Sequence, residues 1–394
     1  MRVTVNSALA AVVVCTLTVV AHTSLGAQRP VCGTRTTAAC TAPGLTFQTI
    51  SAGFAHSCGV TPEGAAYCWG DGRKGALGNG RRQVSRSPQR VAGQYAFVEV
   101  GAGGDFSCAR TADSQVLCWG GERPVPGWPV VSDVPRPVTL GKPAAAMAVG
   151  RRHVCILDSE GVAQCWGWNV DGETGVGTSG IDNAMVATPT PVDTDARFKN
   201  LSAGLGFTCG VTVEGTVRCW GSNIDRIVGE QAAADRCGEI TPIPCATRPV
   251  AVPVPELAST ISAGSSHACV LTVSGRIFCW GSNGAGQVGA YGPGVPTVPV
   301  PSEVTIKGQG PFLTVSSGGV HSCALTTSRR VYCWGAYDFA GNDQAGAEAL
   351  APTLAAGGTQ FRAISAGQLH GCGLDTRGRV LCWGDTINGA LGVR

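Results

Sequence analysis

Apolar and polar positions in this chain alternate in short runs, and the runs recur in a fixed order. Ile50-Ser51-Ala52-Gly53 returns as Leu201-Ser202-Ala203-Gly204, Ile261-Ser262-Ala263-Gly264 and Ile364-Ser365-Ala366-Gly367. A pair of runs follows, such as Cys58 to Thr61 and Ala65 to Cys68 on either side of Pro62-Glu63-Gly64. Proline-led runs close the unit: Pro88 to Val91, Pro137 to Leu140, Pro249 to Val252 and Pro352 to Leu354. Short alternating runs bounded by Gly and Pro predict β-strands, and a period of about 50 residues marks one supersecondary unit repeated. Each repeat predicts four short antiparallel strands, with small residues at one edge and proline at the other, where no ladder N–H is needed. Such sheets packed radially, narrow edge inward, make an all-β, seven-bladed propeller. The repeats fall near residues 45–92, 95–140, 145–192, 198–252, 258–304, 311–354 and 360–394, within a propeller read as 43–394.

Seven times the central pair of runs reads as a cysteine, nine residues, then Cys-Trp-Gly. The pairs are Cys58 and Cys68, Cys108 and Cys118, Cys155 and Cys165, Cys209 and Cys219, Cys269 and Cys279, Cys323 and Cys333, Cys372 and Cys382. A three-residue hairpin loop needs a left-handed third position, filled by Gly64, Gly161, Gly215, Gly275 and Gly378, and by Ser114 and Arg329 in repeats 2 and 6. That loop sets the two cysteines opposite each other, near disulfide range. Each bond is expected to add roughly 2–3 kcal/mol. Cys32 with Cys40 and Cys237 with Cys245 form two further local pairs. Metal ligation would want spacings such as C-x2-C, which the chain lacks. The tryptophan after each second cysteine points away from the cysteines by strand alternation, so both faces of a blade are apolar and the seven tryptophans are core. Repeat 7 ends at Val393-Arg394 without its own outer strand. Residues near 43–47 are expected to supply it, because Ala42-Pro43-Gly44-Leu45 resembles Ala351-Pro352-Thr353-Leu354.

Residues 1–27 read as an export signal: Arg2, an apolar run from Ala8 to Val20, and Leu25-Gly26-Ala27 as the cleavage site. The run is short for a membrane span, which needs about 20 residues, and no other stretch qualifies. Cys15 leaves with the signal, so the remaining cysteines pair evenly, as in an exported disulfide framework. Residues 28–42 form an N-terminal segment holding the Cys32–Cys40 pair. The formal charge is +3, or +2 without Arg2, on a chain only 14% charged. That is too weak for a nucleic-acid footprint. Short basic clusters such as Arg73-Lys74 and Arg151-Arg152 read as solvated loop residues.

Repeat 5 runs from Ser262-Ala-Gly-Ser-Ser-His267 through Gly275 and Cys-Trp280-Gly281-Ser-Asn283 to Gly286-Gln287-Val-Gly289. It resembles the repeat of the regulator-of-chromosome-condensation family, G-x-x-H-[ST], a Gly turn, then W-G-x-N-x-x-G-Q-L-G. The resemblance covers residue 45 to the C-terminus and implies the same seven-bladed propeller, here in an exported, bacterial-type member with paired cysteines. It also implies protein binding through loops on one propeller face. The family's founding activities, nucleotide exchange on a nuclear GTPase and chromatin binding, do not suit an exported, nearly neutral chain.

Five repeats carry a histidine two positions before the first cysteine: His56, His153, His267, His321 and His370. Phe106 and Phe207 take that place elsewhere, which a packing position tolerates and a ligand position does not. No catalytic motif is present, and no catalytic residue, metal or cofactor is assigned. The loops after Cys-Trp-Gly emerge on one face and carry Arg73, Lys74, Arg123, Trp128, Trp168, Asn169, Asp171, Asp225, Arg226, Tyr291, Tyr337 and Phe339. Aromatics and arginines anchor interfaces. Repeat 4 adds an insertion, Glu230 to Thr247, read as either a rigid projecting knob or a protected loop. The chain is read as an exported, monomeric, non-catalytic module binding a protein. The alternatives are a secreted hydrolase or lyase working at the channel mouth, and an envelope or carbohydrate binder.

Overall fold

The computed structural model describes residues 39–40, 44–121, 131–229, 235–238, 241–291, 294–336, 349–355, 359–385 and 388–392. Among these, the repeat becomes seven antiparallel sheets. Blade 1 consists of Thr49–Ala52, His56–Val60, Ala66–Gly70 and Ser85–Arg90, hydrogen-bonded in that order from the channel outward. Each blade's central hairpin pairs its cysteines directly across, as Cys58 with Cys68. The seven pairs are disulfides with Cα atoms 4.0–4.1 Å apart. The turns take the left-handed conformation throughout, including Ser114 at φ 66° and Arg329 at φ 62°.

The outer strands correct the expected register. Six of them bulge opposite the Trp-Gly step, and Pro88, Pro135, Pro189, Pro249, Pro301 and Pro352 each stand just before pairing resumes. Proline therefore sits inside the strand, at the one place where its missing N–H leaves no ladder partner unmet. In blade 2 the strand is Ser132–Pro137, so the equivalent proline is Pro135, and Pro137 ends the strand rather than leading it. The closing strand is also shifted. Ala39–Cys40 pairs with Leu381 and Cys382, upstream of the expected 43–47. Phe47 is instead used in the seam between blades 7 and 1, fully buried with its ring 5.9 Å from that of Trp69.

The core lies between the blades. In each seam the disulfide face of one blade meets the tryptophan of the next, as Cys58 and Cys68 meet Trp119, or Cys269 and Cys279 meet Trp334. A buried tryptophan hides some 150–250 Å², about 4–6 kcal/mol of hydrophobic stabilisation at ordinary transfer values. Several polar side chains in the seams are paired across blades. The Ser107 hydroxyl donates to the Ala76 carbonyl and so accepts from His56 Nε2–H at 2.8 Å. Trp119 Nε1 donates to the same carbonyl. His153 with Thr208, His267 with Ser322 and His370 with Ser57 repeat the arrangement. Where the next blade offers no hydroxyl, phenylalanine stands instead: Phe106 packs in one cluster with Val154, Phe207 with Ala268. The histidines thus act singly, each as a seam donor. His321 departs from the rule, because the next blade presents Gly371 and neither imidazole nitrogen finds a partner among the described residues.

The described part of the insertion in repeat 4 packs into the blade rather than projecting. Asp235–Cys237 joins the sheet as a fifth strand against Ile243–Val252. The Cys237–Cys245 disulfide is buried, and Gly238 N donates to the Val170 carbonyl in the neighbouring loop of blade 3. Cys32, and with it the Cys32–Cys40 pair, lies outside the described residues. No helix among the described residues is long and apolar enough to cross a membrane.

Candidate binding face around the channel mouth

The inner strands end on Gly53, Gly103, Gly150, Gly204, Gly264, Gly318 and Gly367, which line a central channel of about 220 Å³. A Cβ at any of them would lie 2.4–2.8 Å from the carbonyl oxygen of the next glycine around the ring. Only glycine permits this approach. Backbone bonds such as Phe54 N to Gly103 O and Gln368 N to Gly53 O stitch the ring. Inner-strand serines add to it, Ser51, Ser202, Ser262, Ser316 and Ser365 each accepting an N–H from the next blade. Blades 2 and 3 carry Gly101 and Ala148 at that position.

One residue past each ring glycine, the chain is free to vary: Phe54, Gly104, Arg151, Leu205, Ser265, Gly319 and Gln368. These loops share a face with the loops after Cys-Trp-Gly. Seven equivalent backbone bonds join the two sets, from Asp71 N to Ala55 O through Trp168 N to Arg152 O and Asp385 N to Leu369 O. Blade 3 contributes Arg151, Arg152 and Trp168 to the face. The Arg151 guanidinium lies 4.7 Å from the Phe54 ring centroid, two blades away. Gly104, between them, has no side chain to block the crossing; a Cβ there would meet the Arg151 carbonyl oxygen at 2.6 Å and its Cγ at 3.1 Å. The Arg152 guanidinium lies 5.3 Å from the Trp168 ring, which the shared backbone bond holds alongside. Burial, then the neighbouring Arg152, lower the pKa of Arg151, while Asp105 opposes them.

Beneath Trp168 the loop is tied together by side-chain hydrogen bonds. Asn169, expected at the binding surface, is fully buried. Its amide donates to the Thr178 carbonyl, and its oxygen accepts from Thr174 N. Asn223 and Asn283 brace their own loops in the same way. Glu173 stands where repeat 5 has Gln287, and each accepts the N–H two residues back at 2.9 Å. Burial pushes the Glu173 carboxyl up to about 8, and burial also raises Asp171.

Trp168 and Asp171 share the blade 3 loop. Arg73, in an ion pair with Asp71, and exposed Lys74 are on blade 1. Asp225 and exposed Arg226 are on blade 4. Tyr291, 45% exposed, lies out by Ser302 on the outer strand of blade 5. Arg123, Trp128, Tyr337 and Phe339 lie outside the described residues. Sequence reasoning passed over Phe54, Asp105 and Arg151–Arg152 as binding residues. Their signal was available: a variable position directly after a sevenfold glycine.

Models of the "Regulator of chromosome condensation (RCC1) repeat" match this chain at residues 47–76, 144–173, 198–225, 258–287, 312–339 and 361–389, and at 63–110 and 274–325. The chain is 26% identical over 303 residues to the ultraviolet-B receptor UVR8 of Arabidopsis thaliana, covering 75% of this chain and 66% of that protein. It is 29% identical over 204 residues to the mitochondrial RCC1 domain-containing protein RUG3 of the same plant, covering 50% and 43%. The chain thus spans less than two thirds of these relatives' length. Among solved structures it is similar to Prp20p from Saccharomyces cerevisiae, with a TM-score of 0.69 and 18% identity over 87% of this chain and 83% of that one.

Proposed function

The chain belongs to the regulator of chromosome condensation (RCC1) repeat family, and from that premise we propose that it is an exported, non-catalytic module that binds a protein through the face around its channel mouth. One observation carries this reading: every seam sets a disulfide against a tryptophan, whereas the face varies from blade to blade and gathers Phe54, Arg151, Arg152 and Trp168 in one region. Stacked aromatics and arginines are the usual anchors of protein interfaces. The loop under Trp168 is held by Asn169 and by Gly238 N on the Val170 carbonyl, and a loop held in place lowers the entropic cost of association. Prp20p, which shares the fold, has been described with binding properties towards Gsp1p and histones. A disulfide in every blade suits an oxidising compartment, and export is part of the proposal for that reason.

Affinity capture from the native extracellular and envelope fractions tests it. The expected result is a partner held by the wild type and lost by Phe54→Ala/Trp168→Ala. Tyr95→Ala/Leu257→Ala, on exposed hydrophobics at the hairpin-turn end, should retain it. Equal retention by all three baits, with each folded and oxidised, would refute the assignment to this face.

A further inference from the structure

Six arginines among the described residues pair with an acid. Arg73 pairs with Asp71, Arg82 with Asp133, Arg110 with Glu99, Arg248 with Asp193, Arg276 with Glu256 and Glu303, and Arg379 with Asp375. Arg151 and Arg152 do not: among the described residues, no carboxylate lies within 4.0 Å of either guanidinium. Each guanidinium carbon lies over an aromatic ring instead, a contact that engages the π face and does not use up the N–H donors that a bidentate acceptor takes. Two adjacent cations held side by side repel, and Arg151 is half-buried as well. An arrangement that concentrates positive charge without neutralising it is complementary to an incoming anion.

We propose that Arg151 and Arg152 form a receptor for the carboxylates of an acidic segment on the protein partner, an inference that rests on the binding-face reading above. The surroundings favour carboxylate over a nucleic-acid backbone. The whole chain carries only +3, and Asp71, Asp105 and Asp171 stand around the arginines on the same face, which would repel a continuous polyanion. A short acidic stretch reaches two arginines without meeting them. The acids already present do not fill the role. Asp105 is close enough to act on Arg151 but makes no hydrogen bond to it. Glu173, close enough to feel Arg152, stays protonated at neutral pH because burial lifts it to about 8.

The probe is a fluorescein-labelled peptide of Glu, Asp and Gly, read by anisotropy at low salt. Its controls are the same peptide with every acid replaced by its amide, and an oligodeoxynucleotide of equal charge. Wild type should bind the acidic peptide saturably and ignore the amide form. R151Q/R152Q should weaken binding about tenfold to a hundredfold, as expected for losing charge-assisted hydrogen bonds. R82Q/R248Q, which removes the same charge from paired sites, should leave binding unchanged. R151E/R152E should bind a lysine peptide instead. No saturable binding by wild type, equal loss in both Gln variants, or tighter binding of the oligonucleotide would each overturn the proposal. If those occur while captured partner is still lost on Phe54→Ala/Trp168→Ala, the face reading stands and only the acidic-segment inference fails. Peptide binding without face-dependent capture would mean the reverse.

Discussion

In the seam between blades 5 and 6, His267 meets the Ser322 hydroxyl, and Ser322 and Trp334 share the Gln287 carbonyl. In the seam between blades 2 and 3, Phe106 meets Val154, and no serine from Gly101 reaches across. Both seams bury a disulfide on one side and a tryptophan on the other. The difference shows that the repeat keeps an apolar volume between a disulfide and a tryptophan, not a residue type. A hydroxyl and its donor are exchanged together for two apolar groups, because leaving either polar partner alone costs more than losing both.

Acid should separate the two kinds of seam most strongly. His56 is lowered to about 4 and His153, His267, His321 and His370 to about 3, all chiefly by burial. The folded state holds these imidazoles neutral, so their stabilisation is complete above the unfolded pKa of about 6.5. It is lost as pH falls through the folded values, at about 1.4 kcal/mol per histidine per pH unit. Urea titrations from pH 7 to pH 4 should show a steep decline. The pair H267F/S322A, which copies the Phe207–Ala268 seam, should make it shallower; an unchanged slope would mean the histidines are not the acid-sensitive groups.

Trp334→Ala should cost about 3–5 kcal/mol, and Trp166→Ala in the simpler seam a similar amount; a cost under about 1 kcal/mol would show the seams are not the core. Ser322→Ala should cost about 1–3 kcal/mol by stranding His267 Nε2–H and removing one of the two donors to the Gln287 carbonyl. Val154→Ser should also destabilise, and adding Phe106→His should recover part of the loss. Additivity in that double-mutant cycle would break the partner-exchange account. Within blade 3, Glu173→Gln should raise the melting temperature by a few degrees at pH 8 and hardly at pH 5. The raised carboxyl is compatible with the fold below about 4.5 and penalised as pH rises towards 8. The smallest effect expected is a gain of about 1 kcal/mol for Ser114→Gly or Arg329→Gly, since both hold left-handed φ without being glycine. Loss of stability at either would contradict the observed turn.

Much of the architecture could be read from the chain because it is local and repeated. The distance from Cys58 to Cys68 and the glycine turn between them specify a hairpin whatever surrounds it. The tryptophans and small inner strands then supply two apolar faces. The candidate site was only half legible for the opposite reason. Trp168 stood out as an aromatic outside the repeated core, yet Asn169 beside it proved to be a buried brace, and Arg151–Arg152 passed for a solvated pair. Arg151 reaches Phe54 only because Gly104 is empty, a relation among three blades that no single repeat displays.

The sequence by itself determined the number of blades, the hairpin and disulfide register within each, and the placing of the tryptophans in the core, since these depend on residues within a few positions of one another. Tertiary structure alone decided the bulge that accommodates each outer-strand proline and the closing of the ring by Ala39–Cys40. It also decided which histidine has a hydroxyl to meet and which cations remain unpaired at the channel mouth. Those outcomes join residues tens to hundreds of positions apart, and a periodic pattern carries no record of which side chain a closed ring will bring against another.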